Sequence, residues 1–311
     1  MSEFTPVYLE TYRSGELADR SRSALERLRH CTLCPRRCRV DRLADQRGVC
    51  RTGKHARVAS AQPHFGEEAP LVGRHGSGTI FFTHCNLLCN FCQNYDISHE
   101  GAGRDVSATQ LAAKMLALQR QGCHNVNFVT PSHVVPQILA ALEYAIEGGL
   151  CVPLVYNSST YDDVETLKLL DGVIDIYMPD FKFWDSRVAD LTCRAPDYPE
   201  LARKAVREMY RQVGDLVLDS AGIAQRGLLV RHLVMPYGMA GTRDIMRFLA
   251  QEVSAETYVN IMTQYRPCGQ AYDIPELAVR PTDKEFQAAM QAAQEEGITR
   301  LDRPRHFFRM F

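Results

Sequence analysis

Short apolar or β-branched runs alternate, over most of the chain, with longer stretches in which apolar residues recur every three or four positions. Thr79 to Thr83, Val126 to Thr130, Val152 to Tyr156, Val173 to Pro179, Leu228 to Met235 and Tyr258 to Met262 read as strands. Ser107 to Gln121, Val134 to Ile146, Asp162 to Leu170, Pro199 to Val213 and Thr242 to Val253 read as the helices between them, and Thr282 to Glu295 follows the last strand. Strand-then-helix units in this rhythm predict an α/β fold, a parallel sheet with helices outside. Six units without a glycine-rich phosphate fingerprint after the first strand point to a partial (β/α)6 barrel rather than a dinucleotide-binding sheet. In such barrels chemistry gathers where strands run into the following loops. Cys85, Thr130, Asn157, Asp180 and residues 260–264 stand at those places.

Ahead of this rhythm lie an arginine-rich helical segment at 16–29 and a stretch of turns and cysteines. The expected organisation is an N-terminal helical and cysteine-rich metal-binding segment (1–75), the barrel (76–300) and a tail (301–311) whose RPRHFFRMF packs on the barrel. The 311 residues are 45% hydrophobic and 23% charged, which suits one large core, and a net charge of -1 offers no footprint for nucleic acid or an anionic membrane. Arg36, Arg37, Arg39 and Arg42 have acidic neighbours and read as a solvated face. The N-terminus lacks the order of a secretory signal and no apolar run could span a bilayer, so a cytoplasmic location is expected. Thiols stay reduced there, so eleven cysteines imply metal or redox chemistry rather than disulfides. Four of them, Cys123, Cys151, Cys193 and Cys268, are isolated and read as small buried hydrophobes.

The segment GSGTIFFTHCNLLCNFCQN puts Cys85, Cys89 and Cys92 on the loop after the first barrel strand. Three thiolates from one loop can hold three corners of a cubane iron-sulfur cluster; a zinc site would need a fourth ligand such as His84 or His99. Cys-x3-Cys-x-aromatic-Cys, with Phe91 as the aromatic, resembles the signature of the radical S-adenosylmethionine (SAM) superfamily. The surrounding residues are similar to the glycyl-radical-enzyme activating group, above all its pyruvate formate-lyase activating-enzyme-like members. The resemblance runs over about residues 30 to 300. It implies an oxidoreductase with a [4Fe-4S] cluster on Cys85, Cys89 and Cys92 that cleaves SAM reductively. The product would be a 5'-deoxyadenosyl radical for hydrogen abstraction, with electrons from a donor such as flavodoxin or ferredoxin. The target would be a protein glycine, or else a small molecule or peptide.

The resemblance also places SAM contacts. Asp180 and Lys182 match an Asp-x-Lys element near SAM, and Arg231 matches an arginine that precedes an apolar run and a proline; its partner is SAM's carboxylate or an interstrand carboxylate. Asn157 belongs to the same set of strand ends. Where the family carries glycine-glycine-glutamate for the SAM amine, this chain has Val129 to His133, so Thr130 and Ser132 are candidate SAM contacts or helix caps. His84 stands where activating enzymes usually have glycine.

Upstream, Cys31, Cys34, Cys38 and Cys50 lie in a turn-rich stretch with Pro35 and Gly48, a spacing that suits a structural zinc or a fully ligated [4Fe-4S] cluster. A non-catalytic zinc-binding module is the competing reading of the two cysteine groups. It leaves the strand-helix rhythm without a purpose.

Overall fold

The computed structural model describes residues 4–302, so the 303–311 tail lies outside the described residues. Helices α1 (Tyr8–Arg13) and α2 (Glu16–Glu26) precede the cysteine-rich coil, which leads into strand β1 (Ala56–His64), the short helix α3 (Ala69–Val72), β2 (Ser77–Phe82) and β3 (Arg104–Val106). Then come α4 (Ala108–Arg120), β4 (Val126–Val129), α5 (Val135–Glu147), β5 (Leu154–Ser158), α6 (Val164–Leu167), β6 (Ile176–Pro179), α7 (Ser186–Cys193) and α8 (Tyr198–Val213). The chain closes with β7 (Val217–Leu218), β8 (Ala224–Leu233), α9 (Thr242–Phe248), β9 (Tyr258–Met262) and α10 (Asp283–Glu295).

Six strands, β2, β4, β5, β6, β8 and β9, are parallel neighbours in chain order. These are the six runs read from the sequence. The sheet is mixed, because β1 pairs antiparallel with β2, β3 with β1, and β7 with β8. Residues 56–64, expected in a separate N-terminal segment, are therefore part of the same sheet.

Boundaries moved for local reasons. The fourth run starts at Ile176 rather than Val173, because Val173 and Ile174 spend their N–H groups on Leu170 O in a tight turn. The 242–253 helix stays α-helical to Phe248 and widens into a π turn over Leu249–Val253. Helices α4 and α10 begin at full capping boxes, Ser107 with Gln110 and Thr282 with Glu285.

Alternation along the strands sorts the sheet's two faces. Leu154, Tyr156, Tyr177, Leu228 and Val230 join the large core beneath the helices. Val155, Ile176, Met178 and Leu229 turn the other way and pack around Leu71 of α3. Helix α3 thus plugs the inner face, held by Asn125 Nδ2, which donates to Leu71 O at 2.9 Å. Among the described residues no helix is long and apolar enough to cross a membrane.

Candidate functional site

Two residues beyond the apolar floor, the same alternation brings Asn157, Asp180 and Arg231 onto the inner face one layer higher. Asp180 Oδ1 accepts from Arg231 Nε at 2.6 Å and its Oδ2 from Lys182 Nζ at 2.7 Å. Arg231 Nη2 donates to Asn157 Oδ1 at 2.8 Å, and Nη1 lies 3.4 Å from Glu67 Oε2 and 3.9 Å from Glu68 Oε1. An interstrand carboxylate therefore holds Arg231. Tyr198 fixes the loop that carries Asp180 and Lys182: its hydroxyl accepts from the Lys182 N–H at 2.9 Å and lies 2.9 Å from Asp180 O.

Burial pushes the Asp180 carboxyl up, but Arg231 and Lys182 outweigh it and hold the pKa at about 2. Glu68 behaves oppositely: burial raises it against the pull of Arg231, and its Oε2 has no partner. Burial and Arg231 thus pull the Glu68 carboxyl in opposite directions, with burial the larger.

The cysteine loop leaves β2 above this network. His84 adopts φ +70° and Leu88 φ +56°, left-handed backbone that favours glycine. The glycine-like turn is thus kept with a histidine in place, and Gly101 makes the room, since a Cβ there would sit 2.7 Å from the His84 ring. Leu87 N–H donates to Cys85 Sγ at 3.3 Å and Ser98 O–H to Cys92 Sγ at 3.2 Å. Cys85, Cys89 and Cys92 line one cavity of about 350 Å³ together with Asp180, Lys182 and Arg231. Burial pushes the Cys85 thiol up to about 12, so a bound metal must displace its proton. Three soft ligands from one loop, with N–H and O–H donors aimed at the sulfurs, fit an iron-sulfur cluster with one iron free of cysteine.

Phe91 closes the cavity wall, edge-on to Phe183 and packed against Tyr265. Thr130 and Asn157 line the cavity, Thr130 with φ +60°. Ser132 is placed elsewhere, buried beside Asp162 and Tyr156, and neither Thr130 nor Ser132 caps α5, whose N-cap is Val134. His84 lines the cavity, whereas His99 stacks on Tyr95 at 4.1 Å. His232 is structural: burial lowers its pKa to about 4, and its ring nitrogens lie 2.8 Å from Phe181 O and Thr242 Oγ1.

Several readings of the sequence need correction. Cys193 is buried in the core as expected but is no bystander, for its thiol donates to Cys89 Sγ at 3.3 Å. Cys151 is exposed rather than buried. The arginine run is a solvated face only in part: Arg37 and Arg39 are exposed, whereas Arg36 reaches the carbonyls of Asn86, Leu87 and Cys193 and Arg42 is 1% exposed. Cys31, Cys34, Cys38 and Cys50 line one enclosed cavity with Arg42 and His133.

Sequence reasoning missed Glu67, Glu68 and His64, which reach the site from the turn between β1 and α3; His64 Nδ1 lies 3.0 Å from Glu67 Oε1. A faint signal was there. Two glutamates directly before Ala69-Pro70-Leu71-Val72 precede a proline-initiated apolar helix, and such a helix goes inward.

Residues 79–218 match the family described as the radical SAM superfamily. An uncharacterized protein of Methanocaldococcus jannaschii is 32% identical over 276 residues, spanning 86% of this chain and 75% of the relative.

Proposed function

This chain belongs to the radical SAM superfamily, and from that premise we propose that it cleaves SAM reductively in the cavity below Cys85, Cys89 and Cys92, on a partial (β/α)6 barrel. The observation that carries the proposal is the convergence of those three cysteines with a paired charge network on one 350 Å³ cavity, a size typical of small-molecule sites. The cysteines would hold three irons of a [4Fe-4S] cluster, and when bound it supplies a single low-potential electron to the sulfonium.

The chain's own residues do the rest. Leu87 N–H and Ser98 O–H stabilise negative charge on the sulfurs of Cys85 and Cys92. Lys182 Nζ gives one of its three hydrogens to Asp180 and keeps two for the carboxylate of SAM. Asn157 and Thr130 offer polar atoms at the neighbouring strand ends. Phe91, packed on Phe183 and Tyr265, keeps water from the reacting carbon.

The activating-enzyme resemblance extends the reading to a protein glycine as hydrogen donor, with electrons from a flavodoxin or ferredoxin; a peptide or small molecule would use the same SAM pocket. Anaerobic incubation with SAM and a strong reductant should give 5'-deoxyadenosine from the wild type and none from Cys89→Ala. Equal formation by the variant, or a wild type that takes up only zinc at these cysteines, refutes the proposal. Deuterium moving into 5'-deoxyadenosine from an α-deuterated glycine of a partner protein would identify the glycine target.

A further inference from the structure

A buried guanidinium without a carboxylate is an unpaid charge, and Arg42 is one. It is 1% exposed, and its hydrogen bonds go to neutral acceptors, Gly53 O at 2.9 and 3.1 Å and His133 O at 2.8 Å. No salt bridge to it is found among the described residues, and an isolated buried charge is strongly unfavourable unless an anion lies near. The groups beside it that can become anionic are thiols: Nη1 is 3.9 Å from Cys31 Sγ, and Arg42 acts electrostatically on Cys50.

Those thiols are furnished as ligands. The backbone N–H groups of Arg36, Val49 and Thr52 point at Cys34, Cys38 and Cys50 respectively, the second at 3.4 Å. Gly48 packs so tightly on Cys38 that a Cβ there would lie 2.6 Å from its sulfur. Donors aimed at sulfur and a backbone drawn in around it are what metal-bound thiolates require.

Size separates the two candidate metals. Zinc draws four sulfurs to about 2.3 Å from one point, which leaves no hole among them. Here the cavity that the four cysteines line is about 330 Å³ with its mouth, and about 10 Å³ of it admits the centre of a water-sized sphere.

We propose that Cys31, Cys34, Cys38 and Cys50 bind a second [4Fe-4S] cluster with every corner filled by cysteine, its negative charge balanced by Arg42. The site is independent of the SAM-cleaving reading and is tested without it. Iron, sulfide and zinc would be measured in the folded Cys85→Ala/Cys89→Ala/Cys92→Ala variant after anaerobic reconstitution, where any cluster must be the second one. Retention of about four irons and four sulfides per chain, half the wild-type load, is expected. The reciprocal Cys34→Ala/Cys38→Ala variant should lose the other half; if it fails to fold, the triple variant still decides. One zinc per chain in the triple variant overturns the cluster, and a folded triple variant without metal overturns the site.

Discussion

Replacing Arg231 by methionine keeps the volume and removes the cation that joins β5, β6 and the β1–α3 turn. The change leaves Asp180 with Lys182 as its remaining ion pair, Glu67 with His64, and takes from Glu68 the arginine it faces. Breaking a buried ion pair from one side costs roughly 3–5 kcal/mol. The Arg231 and Asp180 side chains keep 16% and 17% exposure through the cavity, so the low end, about 3 kcal/mol, is the appropriate figure. The pH dependence follows from the same charges. In the wild type Arg231 and Lys182 overcome burial and hold Asp180 at about 2. Without Arg231, burial faces Lys182 alone, so the folded-state pKa of Asp180 rises and that of Glu68 rises further. The folded variant then binds protons more tightly than the folded wild type, so its deficit against wild type shrinks as pH falls toward 5. Urea unfolding of both proteins at pH 8 and pH 5 measures this, and adding Asp180→Asn to the variant should restore part of the loss. A deficit under about 1 kcal/mol at both pH values, as for an exposed pair, would refute the picture of a desolvated network.

Asp175 is buried and pushed up to about 7 by desolvation although Val7 and Leu154 donate to it at 2.9 Å. Its ionised form is therefore disfavoured in the fold, so stability should fall as pH rises from about 4 to 7, by at most ~4 kcal/mol; Asp175→Asn should flatten that slope in thermal or urea unfolding. Thr130→Gly relieves a β-branched residue at φ +60° and should gain up to about 1 kcal/mol after the entropic cost of glycine, read as a rise in the urea midpoint. Cys193→Ala removes the thiol that donates to Cys89; spectroelectrochemistry should show the three-cysteine cluster's potential falling by on the order of tens of millivolts, while an unchanged potential would make the contact mere packing.

Periodicity made the parallel strands legible, because strands buried on two faces must be short apolar runs and their crossovers must repeat every three or four residues. The cysteine loop stood out for a chemical reason: three thiols at that spacing after a strand have few other uses, and the structure brings all three to one cavity. What escaped was long-range. Glu67 meets Arg231 across 164 positions, and no local pattern tells a buried carboxylate from a solvated one. Cys193 looked like an ordinary small hydrophobe because its importance lies wholly in standing against Cys89, 104 positions earlier. Arg42 was misread in the same way. A basic run beside acids usually points to water, and the carbonyls that turn this guanidinium inward belong to Gly53 and, 91 positions away, His133. Strand β1 was hidden by its Gln62-Pro63-His64 end, which carries little β signal.

Arg36 has a consequence for how such a chain can be cut or recombined. Its guanidinium caps the carbonyls of Asn86 and Leu87, 50 and 51 positions downstream, and that of Cys193. A fragment beginning after the cysteine-rich coil would keep Cys85, Cys89 and Cys92 but lose the clasp that shapes their loop. The coil and the loop are thus inherited together, and a chimera that exchanges one of them for a relative's must carry the other along.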